Sequence, residues 1–188
     1  ESINRLSVFY REYLCQIVGD EDALFRQEYI QNYDGYIEKN EQGLSTLILT
    51  NLNGEEVEER RPVNIFTGVD PASSTKKTAD YSVIFNIAVD EEGNRFCLPY
   101  YRKRATPLDL ADAIINNFKT YRSTKTRIES VGYQEMLRQY IKEKAEEMGM
   151  FIPGLEIKEN PRTSKSYRLE SLQPLFASSK VYIQPTMQ

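Results

Sequence analysis

The spacing of hydrophobic residues changes once along the chain, from the alternation of strands to the period of helices. Apolar residues at every second position of 63–69 predict a strand, and Pro71 ends it by favouring an extended Asp70. Two further apolar runs follow across short turns, at 81–89 and 95–104. Three consecutive strands joined in this way predict an antiparallel meander.

A helix start follows the meander, at Thr-Pro-Leu-Asp (106–109). Threonine suits the N-cap, proline the first helical position and an acid the third. Strand and helix patterns then alternate, as strand 126–130, helix 133–149, strand 155–157, helix 169–176 and strand 181–183. The order β-β-β-α-β-α-β-α-β predicts an α/β fold with a mixed sheet and helices on both faces.

The first 61 residues have a different pattern. Helical stripes cover about 3–33, and a polar stretch that includes Gly35 and 38–43 predicts a loop. A β-prone run at 44–50 is followed by Asn53-Gly54, a strong hairpin signal.

The charged run 55–61 predicts a solvated return strand or a linker. We therefore expect a domain boundary near Arg61. It would separate a helical and hairpin arm (1–61) from a second domain (62–188).

Composition excludes several kinds of chemistry. The chain has no histidine, so a His-based triad and imidazole metal ligation are impossible. Cys15 and Cys97 share no metal-binding motif and suit a reducing compartment. We see no apolar run of membrane-spanning length and no signal peptide, and we expect no membrane partner.

The net charge is −4, and positive residues are grouped locally at 102–104, 122–127 and 162–168. A broad basic face for nucleic acid would usually make the chain positive. Each group is compatible with a solvated surface or with a local contact to nucleic acid.

Two acids close strand-like runs, Asp70 after the first strand and Glu129 in the strand after the first helix. These two strands can lie side by side and parallel, which would bring both acids to the carboxyl edge of the sheet. Oxygen ligands of this kind suit Mg²⁺ or Mn²⁺, and paired cations support phosphodiester hydrolysis. Taken singly, Asp70 is more typical of a turn and Glu129 of an exposed strand end, and only their shared placement indicates a site.

Four sequence blocks carry a resemblance to a known family. They are Gly-Val-Asp-Pro-Ala (68–72), Asp-Tyr-Ser (80–82), Ile-Glu-Ser-Val-Gly-Tyr-Gln (128–134) and Lys-Ser-Tyr-Arg (165–168). In this order and spacing they resemble the nuclease domain of phage terminase large subunits. The N-terminal part is similar to the segment that these proteins carry between ATPase and nuclease. No GxxxxGK[ST] phosphate loop occurs, so the packaging motor is absent from this chain.

The resemblance implies an RNase H-like fold and an endonuclease that cuts concatemeric viral double-stranded DNA with two divalent cations, Mg²⁺ or Mn²⁺. Asp70 would bridge both cations and Glu129 would ligate one. Asp80 matches an acid that assists through a metal-bound water, although a core or loop-capping role suits it equally. Lys165 and Arg168 match a basic pair that would hold DNA phosphates; alternatively, they would cap the third helix or stay in solvent.

The family also uses a third acid, on a helix downstream of the last strand. No acid follows Glu170 before Gln188, so we expect the nuclease domain to be truncated here, with weaker metal binding and slower cutting. Portal protein and the small terminase subunit are the partners implied for the full-length protein, in the host cytoplasm. The alternatives are another RNase H-like nuclease (a resolvase or transposase core) and a non-catalytic module that docks on DNA or the portal.

Overall fold

The computed structural model describes residues 25–72, 81–129, 134–153, 155–158 and 164–185. Eight strands in these residues form one sheet. They are β1 (Ile30–Lys39), β2 (Ser45–Leu52), β3 (Glu55–Asp70), β4 (Ser82–Val89), β5 (Arg95–Lys103), β6 (Lys125–Glu129), β7 (Glu156–Lys158) and β8 (Val181–Ile183). The helices are α1 (Pro107–Tyr121), α2 (Gln134–Glu147), α3 (Lys165–Glu170) and α4 (Gln173–Ala177), and a 3₁₀ turn covers Gln27–Tyr29.

The second half of the sheet has the predicted arrangement. β3, β4 and β5 pair antiparallel in chain order, β6 lies parallel to β3, and β7 lies parallel to β6. Alternating burial along β3 and β4 sets this arrangement, because one face of both strands is covered while the other is open. The predicted mixed α/β class is therefore confirmed.

The sheet closes on itself, which the sequence did not predict. β2 pairs with β1 on one side and with the first half of β3 on the other. β8 lies between β1 and β5 and completes the ring of strands. The inside of this barrel is a core of buried residues: Tyr33, Leu47, Leu49, Val63, Ile65, Ala88, Phe96 and Leu98.

The N-terminal prediction is wrong where it can be compared. Residues 30–33 were predicted as helix, and Gly35 and 38–39 as loop, but all of them belong to β1. Pairing with β2 and β8 overrides the helical spacing. Gly35 is needed there, because a Cβ at this position would lie 2.3 Å from the Ile48 carbonyl oxygen. The helical stripe at 3–24 lies outside the described residues.

The charged run 55–61 is the predicted return strand, and it continues without a break into the rest of β3. The expected boundary near Arg61 thus lies inside one 16-residue strand. The division into 1–61 and 62–188 stays a prediction.

The first helix forms as its sequence predicts. Thr106 accepts a hydrogen bond from the Asp109 N–H, and the Asp109 carboxylate accepts one in return from the Thr106 N–H. α1 and α2 pack together over one face of the sheet, and their apolar residues form a second core with Val69, Ile84 and Ile128.

The predicted third helix is two short helices, α3 and α4. Pro174 lies in the first turn of α4 and has no N–H to continue the preceding helix. Among the helices described, none is both long and apolar enough to cross a membrane.

Candidate active site

Asp70 and Glu129 are brought together by strand register. β3 and β6 are adjacent and parallel, and the last registered pair is Val69 opposite Ile128. Asp70 and Glu129 each follow that pair by one residue and end their strands. Neighbouring strands lie about 4.8 Å apart, so the two acids start from adjacent positions at the carboxyl edge of the sheet.

Both acids are on the accessible side of the sheet. Val69 and Ile128 are buried against the helices, so the next residue of each strand faces the other way. We call this side the open face; on β3 and β6 it carries Phe66, Gly68, Asp70, Arg127 and Glu129. Strand order alone predicted that both acids lie at this edge of the sheet. The register adds that they occupy neighbouring positions on adjacent strands.

A buried polar network fixes the strands beneath the site. The Thr67 hydroxyl donates to the side-chain amide oxygen (Oδ1) of Asn86 at 2.7 Å. The side-chain amides of Asn86 and Asn117 each donate to the other at 2.9 Å. The network joins β3, β4 and α1 directly below the open face, so it limits relative movement of the strands that end at the site.

The chain that leaves β3 is also held. The Ala72 N–H donates to the Ser82 hydroxyl at 3.0 Å, and Ser82 is fully buried. This contact fixes the turn that begins at Asp70 and Pro71. Ser82 stands in the Asp-Tyr-Ser block but was given no role from the sequence; its polar side chain at the start of an apolar strand was the available signal.

Arg168 reaches the site from α3. Its guanidinium lies 3.5 Å from a Glu129 carboxylate oxygen, and both side chains are partly exposed. Ser164 caps the N-terminus of α3 by accepting from the Tyr167 N–H, which sets the direction of this short helix. Of the basic pair predicted for phosphate contact, Arg168 thus adjoins Glu129.

The structure does not test the roles predicted for Asp80 and Lys165. Asp80 lies outside the described residues, and for Lys165 only its place at the start of α3 is described. Their predicted roles stay predictions.

A protein-family model, that of the terminase RNaseH-like domain, matches residues 67–186. The chain belongs to this family. The matched segment begins three residues before Asp70 and includes Glu129 and Arg168. The predicted resemblance to phage terminases is therefore confirmed, and with it the RNase H-like class of the fold.

Solved structures similar to this terminase RNaseH-like domain include the large terminase nuclease of thermophilic phage G20c and the yeast mitochondrial Holliday junction resolvase Ydc2. The G20c nuclease has a TM-score of 0.42 and 14% identity, over 82% of this chain and 69% of that one. Its magnesium-bound form has 0.43 and 16%, over 82% and 68%. Ydc2 has 0.40 and 15%, over 65% and 67%. No curated protein sequence matches, and the assignment rests on the family model alone.

The side chains of this terminase domain suit a hard divalent cation. Mg²⁺ keeps several waters and is commonly held by one or two carboxylates together with substrate phosphates. Asp70 and Glu129 offer two carboxylates at one accessible edge, and the chain contains no histidine to favour a softer metal. Within the described ranges no group of three or more histidine, cysteine, aspartate or glutamate side chains is placed to hold a metal ion.

Proposed function

We propose that this chain is the metal-dependent endonuclease domain of a viral DNA-packaging terminase large subunit. Its substrate would be concatemeric double-stranded DNA, cut by hydrolysis with two divalent cations, Mg²⁺ or Mn²⁺. The observation that carries the proposal is the register that leaves Asp70 and Glu129 at adjacent ends of two parallel strands, on the open face.

The carboxyl ends of β3 and β6 both lie inside the sheet, because β3 is flanked by β4 and β6, and β6 by β3 and β7. Both acids are therefore proposed as cation ligands. The family resemblance, and not the topology, assigns Asp70 to both cations and Glu129 to one of them. Bound divalent cations would supply charge stabilisation to the phosphodiester during cleavage.

The contact between Arg168 and Glu129 indicates how the site could be prepared for substrate. In the free protein the guanidinium lies beside the carboxylate and balances its charge. If Glu129 instead held a cation, Arg168 would lie close enough to bind a backbone phosphate, since guanidinium groups bind phosphate oxygens in bidentate fashion. Arg168 would then orient the DNA without taking part in bond cleavage.

In the full-length protein, portal protein and the small terminase subunit would be the partners, within the host cytoplasm. Neither contact is needed for the chemistry proposed here, which depends only on DNA and cations.

The proposal is tested by nicking of supercoiled plasmid in Mn²⁺. Asp70→Asn and Glu129→Gln should each reduce nicking at least tenfold, because each removes a charged ligand from the cation site. Glu58→Gln is the matched control, since Glu58 is an exposed acid in the first half of β3. Nicking by Asp70→Asn at the wild-type rate would refute the proposed site.

Cation binding can be measured separately from cutting. Millimolar Mn²⁺ should raise the melting temperature of the wild type and of Glu58→Gln by mass action, and should not raise that of Asp70→Asn. Equal shifts in all three proteins would mean that cations bind elsewhere.

A further inference from the structure

One aromatic ring near the site is shared by two arginines. The guanidinium carbon of Arg102 lies 4.0 Å from the centroid of the Tyr81 ring, and that of Arg104 lies 4.6 Å from it. All three residues are exposed, with 37% of Tyr81 accessible. Both positive groups are therefore held in place at the surface of the protein.

The ring and the arginines lie in line with the carboxylates. Asp70 is directly opposite Val83 of β4, and Val83 is directly opposite Arg102 of β5. Directly opposite residues point to the same face of a sheet, so Asp70 and Arg102 share the open face. Two strand spacings separate them, which is roughly 10 Å between Cα atoms.

The neighbouring lysine points elsewhere. Lys103 is opposite the buried Ser82, and its amine lies 5.7 Å from the centroid of the Tyr101 ring. Strand alternation thus divides the basic run 102–104 into two arginines that meet Tyr81 and one lysine that does not.

Stacking on an aromatic ring does not itself occupy the N–H edge of a guanidinium. The ring contacts the flat face of the group, whereas its N–H donors lie in the plane and point outward. A phosphate is bound by that edge, often through two parallel hydrogen bonds. The ring also restricts a flexible side chain before substrate arrives, which lowers the entropy lost on binding.

We propose that Arg102 and Arg104, oriented by Tyr81, bind backbone phosphates of double-stranded DNA on the β5 side of the carboxylate pair. The inference rests on the proposed nuclease function and adds a second contact to it. Arg168 lies on the β6 side of the carboxylates, so the phosphate to be cut would lie between two basic contacts. A separation of roughly 10 Å corresponds to about three base-pair steps along the axis of the duplex.

The test is binding of a fluorescent 20-bp duplex between 50 and 300 mM salt, in EDTA so that no cutting occurs. Each phosphate contact contributes about 0.9 to the slope of log K against log salt. Arg102→Ala with Arg104→Ala should therefore lower the slope by about 1.8. Extrapolated from 1 M salt to 0.1 M, that slope corresponds to roughly 60-fold weaker binding.

Matched controls separate a specific contact from loss of charge. The control variant, Lys103→Ala with Arg60→Ala, removes the same total charge. Lys103 does not meet the Tyr81 ring, and Arg60 is an exposed residue in the first half of β3. This variant should keep the slope within about 0.5 of the wild-type value. Tyr81→Phe keeps the ring and should bind like wild type, whereas Tyr81→Leu should bind more weakly. An equal loss of slope in both double variants, or none in either, would overturn the inference.

The binding readout does not depend on cutting. If the arginine variant loses slope while plasmid nicking proves independent of Asp70, the phosphate contact stands and the nuclease proposal fails. If nicking depends on Asp70 while the arginine variant keeps the wild-type slope, the reverse holds.

Discussion

Within the polar network beneath the site, removal of the Asn86 side chain should lower the free energy of unfolding most. Its side chain is fully buried, and it joins Thr67 of β3 to Asn117 of α1. Asn86→Ala removes three hydrogen bonds of 2.7–2.9 Å and a longer one, of 3.4 Å, from its amide to the Pro99 carbonyl oxygen. It also leaves the Thr67 hydroxyl, itself 4% exposed, without this acceptor.

The magnitude follows from burial. A hydrogen bond contributes about 1 kcal/mol net, and a buried polar group left unsatisfied costs about 1–3 kcal/mol more. We expect Asn86→Ala to lower the free energy of unfolding by about 4 kcal/mol. Asn117 is partly exposed, so water can replace its bonds in part, and Asn117→Ala should cost about 2 kcal/mol.

Urea unfolding of the two single variants and the double variant measures both values. The residues share a reciprocal pair of bonds, so the double variant should be less destabilised than the sum of the singles by about 1–2 kcal/mol. Equal costs for the two single variants, or effects that add within 0.5 kcal/mol, would refute the reasoning from burial.

Two further results are expected. Burial by itself raises the pKa of the Asp90 carboxyl, but hydrogen bonds from the side chain and backbone of Asn94 and from Arg61, with the positive charge of Arg61, outweigh burial and lower the pKa below its usual value. Asp90 thus stabilises the folded state above its unfolded pKa of about 3.9, and this stability is lost as the pH falls through the lower folded pKa. In urea titrations from pH 6 to 2.5, Asp90→Asn should therefore lose less stability on acidification than the wild type. An unchanged dependence of stability on pH would contradict this. Gly35→Ala should lower the melting temperature by several degrees, because the new Cβ would meet the Ile48 carbonyl oxygen. Gly68→Ala should change the melting temperature little, because no atom lies within 4 Å of a Cβ there. Similar shifts for both variants would show that space around the backbone does not decide the loss of stability.

Sequence patterns predicted the elements whose signals are local. The alternation of β3 and its end at Pro71 are short-range features, as is the start of α1 at Thr106 and Asp109. None of these features depends on a distant part of the chain, so each can be predicted from the local sequence.

β1 and the closure of the barrel could not be predicted in the same way. The spacing of Ile30 and Tyr33 fits a helix, and only pairing with β2 and β8 makes the segment a strand. β8 has three residues, and its place between β1 and β5 depends on contacts across most of the chain. Such long-range pairings leave little trace in a local pattern.

The candidate site was predictable to the level of an edge of the sheet. Strand order put Asp70 and Glu129 at one edge, and the register then made them neighbours. The ion pair of Arg168 with Glu129 and the meeting of Tyr81 with Arg102 depend on side-chain positions across strands. They required the structure.

The length of β3 restricts which insertions and deletions this strand can accept. Its first half is paired into the barrel and its second half ends at Asp70, with no linker between them to absorb a slip. An odd number of residues gained or lost between these halves would turn Asp70 towards the helices, and an even number would return it to the open face but displaced along the strand. The number of residues from Pro62 to Asp70 is therefore constrained by the geometry of the strand.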